Sequence, residues 1–242
     1  MPRWTTLHLF DEEKFKTKVV PLIKEDPKNQ REEIIDFLSR FRIGGLKNVT
    51  EEKLEGLIIE ISNKRAEALY FLDDSLRIKK QFDRQKEEGF YALLQYDNYY
   101  FARFLEYVVF KYCADFFPHV PLGKSGLYRL CSQKTGTMLN SILYSFGDNG
   151  GIYSEDSMGI DDWISVEDTE LLYHSIDDLD HRENDRAVEA AIRLIRIAYR
   201  EKLGLVLGQD LRESSLERLA PFKILSKSYW QKENTEGMLF KR

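Results

Sequence analysis

The sequence predicts a mainly α-helical single domain, a bundle packed around one central aromatic-rich helix, with minor β structure at the N-terminus and near residues 163–166. Three observations carry this. Residues 90–117 hold 12 of the 31 aromatic side chains in the chain. Most other apolar residues recur at helical spacing. Only 14 Gly and 6 Pro interrupt 242 residues, too few for collagen-like or low-complexity sequence.

Trp4 to Phe10 (WTTLHLF) is β-prone, and Asp11 then caps a helical run carrying Phe15, Val19, Leu22 and Ile23, which Pro21 should kink or shorten. Pro27 opens a helix with Ile34, Ile35, Leu38 and Phe41 on one side, closed by Gly44 and Gly45. Two amphipathic helices follow, Glu51 to about Ser62 and Arg65 to Gln85.

Between Phe90 and Phe117 one face would carry Phe90, Leu94, Phe101, Leu105, Val108 and Tyr112, and the other Tyr96, Tyr99, Tyr100, Tyr107 and Phe110. A helix apolar nearly all round is surrounded by other elements, so this is the expected centre of the fold, ended by Pro118 and Pro121. The GDNGG run at 147–151 is the best internal boundary candidate within the single domain 1–242, dividing a helical core (1–146) from an acidic segment with C-terminal helices (152–242). Further helices are expected from about Glu167 to Leu179, introduced by Ser165 or Asp168, and from Asn184 to Leu203. Gly204 and Gly208 bracket a short apolar patch, and Ser214 with Glu217 forms a capping-box pattern before a last short helix.

No N-terminal apolar export segment is visible, so a cytoplasmic protein is expected, with Cys113 and Cys131 reduced. No apolar run is long enough to span a bilayer. A net charge of −5 argues against a dedicated nucleic-acid binder, which needs a basic face to displace counterions from phosphate.

Charge is unevenly distributed. Thr135 to His181 holds 11 Asp or Glu and no Lys or Arg, which leaves the rest of the chain net positive. Such a lobe either pairs with the chain's own basic helices or forms a docking face for a basic protein, where acidic charge steers encounter. The residues expected to form that face are Asp161, Asp162, Glu167, Asp168, Glu170, Asp177 and Asp178. On the helix after Asn184, Arg186, Arg193, Arg196 and Arg200 gather on one edge, with Glu189 among them, and are expected to pair with the acidic window rather than with nucleic acid.

Within the acidic window His174, Asp177, Asp178 and His181 stand at i, i+3, i+4 and i+7, so one helix could direct two imidazoles and two carboxylates at a divalent transition metal. Leu172, Ile176 and Leu179 lie opposite and would be the buried stripe, leaving that face to water. In the aromatic segment Asp97 and Arg103 are candidates for lining a ligand pocket, Asp97 inside the apolar stripe and Arg103 with Tyr99 and Tyr107 four residues to either side.

Other motifs fail. Gly123-Lys124-Ser125 lacks the earlier glycine of a phosphate loop, since Pro118 stands there, and Asp148 to Asp156 does not place oxygens at EF-hand positions. Neither cysteine has a nucleophile motif around it, and no serine sits in a G-x-S-x-G turn.

The sequence thus points to a non-enzymatic cytosolic binding module with an acidic docking face and no cofactor, of which an immunity or inhibitor protein neutralising a basic toxin would be one instance. The alternative is a metal-dependent hydrolase with its His/Asp site on the 167–181 helix. A third is a small-ligand sensor with its pocket along residues 90–117.

Overall fold

The computed structural model describes residues 4–24, 27–40, six helical positions between 52 and 61, 99–123, 159–176, 185–209, 211 and 216–241. Its organising element is a four-stranded antiparallel sheet of order β2-β1-β4-β3, formed by β1 (Thr5–Phe10), β2 (Ala114–Gly123), β3 (Gly159–Ile164) and β4 (Gly204–Gln209). The helices are α1 (Glu12–Lys14), α2 (Val20–Lys24), α3 (Pro27–Arg40), α4 (Tyr99–Tyr112), α5 (Val166–His174), α6 (Arg186–Arg200) and α7 (Lys227–Trp230). The expected mainly α bundle is therefore corrected to a mixed α/β fold in which helices cover both faces of a sheet.

Alternation along β1 divides the core in two. Leu7 and Leu9 pack with Leu205, Leu207, Val120 and Leu122 against α5 and α6, while Phe10 packs with Val206, Ala114 and Phe116 against α3 and α4. Both faces are dry, so these strands read as apolar runs rather than as alternating sequence. In β3 the register slips between Ile160 and Asp162, making Asp161 an extra residue opposite β4. That bulge reverses the phase, so Ile160 joins the α3/α4 core and Ile164 the α5/α6 core although both are even-numbered.

The expected central helix is shorter than the aromatic run. α4 stops at Tyr112, and Ala114 to Gly123 forms an edge strand of ten residues. Pro118 and Pro121 sit in that edge strand, where a missing N–H breaks few ladder bonds, so they mark β2 and not the end of a helix. Residues 90–98 and the 147–151 boundary lie outside the described residues.

Asp11 caps α1, accepting from the Lys14 amide at 2.8 Å. The chain widens into a π-helical turn over Phe15–Val19 just before Pro21, which has no N–H to give the i−4 carbonyl. α3 and α4 are clasped by Lys111, whose ammonium lies 2.5 Å from Glu33 Oε1 and 3.0 Å from Asp36 Oδ2. The Tyr112 hydroxyl donates to Glu33 Oε2 at 2.8 Å and the Tyr107 hydroxyl donates to Asp36. Among the described residues no helix is long and apolar enough to cross a membrane.

Gly204 begins β4 opposite Phe10, where a Cβ would press on the Ile164 carbonyl oxygen and come within 3.2 Å of the Phe10 ring. We expect Gly204→Ala to lower stability by about 1–3 kcal/mol in urea denaturation, because a backbone oxygen held in a sheet cannot step aside. The control is Gly56→Ala, which has nothing within 4 Å of the new methyl and should be neutral or mildly stabilising.

Candidate functional site

The acidic segment enters the described structure on edge strand β3 and continues into α5, with Asp161 at the bulge and Asp162 opposite Leu207. The strand ends at Ser165, whose hydroxyl accepts from the Asp168 amide at 3.0 Å and so starts the helix. Glu12 completes the cap from across the sheet, its Oε2 accepting the Val166 N–H at 3.0 Å while Lys16 holds its other oxygen at 2.5 Å. Leu172 and Ile176 are buried, as the periodicity predicted, and Glu167, Glu170 and His174 stand on the exposed side, with Asp168 half-buried.

Glu167 and Asp168 occupy the first turn, where negative charge favours the helix dipole, so local stability accounts for part of their presence. Glu170 lies beyond that turn. Its side chain is 57% exposed, and among the described residues its ion-pair partner is His174, with Nε2 to Oε1 at 3.8 Å.

The metal arrangement expected of His174, Asp177, Asp178 and His181 needed one helix through all four positions. α5 ends at His174, with Ser175 as its C-cap donating to Leu171 and Leu172 carbonyls. Asp177, Asp178 and His181 lie outside the described residues. Among the described residues no three His, Cys, Asp or Glu side chains stand close enough to share an ion.

α6 matches its predicted span closely, beginning after Asp185, whose carboxylate accepts from the Ala187 and Val188 amides. Among the described residues Arg186, Arg193 and Arg200 pair within the protein, with partners outside the acidic window that was expected to hold them. Arg193 reaches Glu189 at 3.6 Å and donates to the Glu236 carbonyl at 2.6 Å, and Arg186 lies 3.9 Å from the Glu236 carboxylate. Arg200 lies 2.5 Å from Glu233 and 3.2 Å from Glu201, over the ring of Tyr229. Glu233 and Glu236 of the C-terminal segment therefore balance Arg200 and Arg186.

Of the two pocket candidates, Asp97 lies outside the described residues. Arg103 is fully buried, its Nη1 2.5 Å from Glu106 Oε2 one turn along α4.

The sequence reading missed a buried polar cluster between β1 and β2. His8 and His119 are directly opposed across the two strands, are 0% and 2% exposed, and have ring centroids 5.0 Å apart. Phe110, Phe116 and Phe117 pack around them. His8 Nδ1 donates to the Asp115 carbonyl at 3.2 Å, which leaves Nε2 to accept from the Thr6 hydroxyl at 2.9 Å. His119 Nδ1 donates to the Phe116 carbonyl at 2.8 Å. Burial lowers both imidazole pKa values, and for His8 the neighbouring His119 lowers it further.

The Asp115 side chain points the other way. It accepts the backbone N–H groups of Lys223 and Ile224 at 2.9 and 3.0 Å and lies 3.3 Å from the Lys223 ammonium. Burial pushes the Lys223 pKa down, opposed by Asp115. Burial likewise raises the pKa of the Cys113 thiol, which donates to the Val109 carbonyl and is a free cysteine. A strand assignment over 114–123 would have revealed the histidine pairing, because it brings His119 opposite the β-prone Thr5–Phe10 segment.

Comparison with protein-family models, with curated proteins and with solved structures gives no match for this chain.

Proposed function

We propose that the chain is a non-enzymatic, cytosolic protein-binding module whose acidic edge, β3 and α5 with the residues that follow, docks a basic protein; an inhibitor of a basic toxin would be one case. One observation carries the reading. Among the described residues the acids of α5 remain on the surface, while Arg186 and Arg200 of α6 are met by Glu236 and Glu233 of the C-terminal segment and not by those acids. An acidic face kept in water steers a cationic partner and sets its orientation, with an effect concentrated in the association rate.

The test is association kinetics with the basic protein recovered from the source cell at low salt. Glu167→Gln with Glu170→Gln, both exposed and outside the Ser165 and Glu12 cap, are expected to slow association several-fold. Adding Asp161→Asn, Asp162→Asn, Asp168→Asn, Asp177→Asn and Asp178→Asn should take the loss to about tenfold or more, shrinking as salt is raised. Equal rates for the wild type and the fully neutralised variant would remove the proposal.

A further inference from the structure

We propose that the His8–His119 pair is an acid-operated latch that holds the C-terminal segment, residues 226–241, on the sheet. His119 is the point where three pieces of chain meet. Its ring faces His8 of β1, while its backbone N–H and C=O both bond to Leu239, at 3.1 and 2.8 Å, in an isolated antiparallel bridge. The tethered segment buries Trp230 and Met238 in the α5/α6 core and places Glu233 and Glu236 on the arginines of α6. Loosening β2 at His119 therefore acts on the attachment of that whole segment.

The pair is built for the neutral state. Each imidazole gives its Nδ1 proton to a backbone carbonyl, and a second proton on His8 would enter at Nε2, where the Thr6 hydroxyl would have to turn from donor to acceptor. Two imidazolium rings would then sit 5.0 Å apart in a dry aromatic pocket.

Among the described residues the surrounding elements supply no spare counter-charge. β1 offers the Thr6 hydroxyl, α4 the Phe110 ring and the following Cys113 thiol, β4 the Val206 paired with His8, and the C-terminal segment Leu239. β2 and the 220–224 turn offer Asp115 and Lys223, which are bound to each other.

The sign follows from the direction of the shift. The latched state binds protons less readily than the open one, so latching is unaffected above the ordinary histidine range and weakens as pH falls below about 6.5. Each proton taken up raises the opening constant by up to about tenfold per pH unit. The acid form would uncover the arginine edge of α6 and the seat of Trp230.

Amide hydrogen exchange on the full chain, corrected for the intrinsic effect of pH, tests this. Between about pH 7.5 and pH 5.5 the opening constant of peptides covering 226–241 should rise about tenfold or more while 188–198 of α6 keeps its protection. No rise, or an equal rise in both regions, overturns the proposal, the second because it reports global unfolding. The double variant His8→Asn, His119→Asn keeps an amide donor for each carbonyl but takes up no proton, and should hold the segment equally at both pH values. His174→Gln with His181→Gln should leave the wild-type response intact, and the reverse pattern in these variants also overturns it. Should the double variant not fold, the wild type still decides: the logarithm of its opening constant must fall with pH at a slope between about −1 and −2 below pH 6.5, and a flat line rejects the latch.

Discussion

Arg103→Ala is expected to destabilise the protein by about 3–5 kcal/mol, because it leaves the Glu106 carboxylate buried on α4 without the guanidinium 2.5 Å away. Both side chains are essentially sealed from water, at 0% and 2% exposure, so solvent cannot take over the lost interaction. Urea denaturation should show a lower midpoint at unchanged slope. The double variant Arg103→Met, Glu106→Leu removes both charges and keeps most of the volume, and should recover the greater part of the loss. If the single and double variants are equally unstable, packing of the long side chains rather than charge holds this part of the core.

Asp115→Ala should cost nearly as much, about 3 kcal/mol. One carboxylate on β2 satisfies two backbone N–H groups and the ammonium of the turn at Lys223; its removal orphans both N–H groups and leaves the ammonium with only the Ala220 carbonyl. Asp115→Asn should fall between the alanine variant and the wild type, since its amide oxygen still accepts from the backbone but does not balance the ammonium. The loss should diminish when Lys223→Met is added to Asp115→Asn. Thermal denaturation is a sufficient readout, because a change of this size moves the midpoint of a chain this long by about 6–12 °C.

What the sequence made legible is set by how each element meets water. α6 was readable because one side of it faces solvent and the other the core, so Val188, Ile192 and Ile195 stand out against Glu189, Arg196 and Arg200, and Asp185 marks its start. β1 was readable from its β-prone composition and from Asp11 behind it. β4 was not: Gly204-Leu-Val-Leu-Gly208 is buried on both faces, and a strand with no wet side has no alternation to detect. β2 was hidden for a related reason. Ala114, Phe116 and Phe117 continue the apolar run of α4 without a polar break, and the prolines that follow look like a helix terminator until the segment is known to be a sheet edge.

The candidate site shows the same division. The surface acids of α5 were identified from composition and its buried stripe from periodicity, while Asp177, Asp178 and His181 of the expected metal face lie outside the described residues. The arginine edge was expected to pair with the acidic window, but among the described residues Arg186, Arg193 and Arg200 meet Glu189, Glu201, Glu233 and Glu236 instead, and the positions of the last two relative to α6 depend on the path of the C-terminal segment. The histidine pair could be found only after β1 and β2 were paired, because nothing local to either residue marks it.

The central position of β1 governs the order in which this chain can acquire its shape. β1 is made first among the strands, yet its neighbours are β2, from the middle of the sequence, and β4, from near its end. Long loops must therefore close before either edge of β1 is satisfied, which is the kind of topology that folds slowly. During synthesis Leu7, Leu9 and Phe10 emerge long before Gly204–Gln209 has left the ribosome, so the nascent chain carries an apolar strand with an open edge for most of its translation. A segment of that kind is a natural client for a holding chaperone and the first place where newly made chains would associate wrongly.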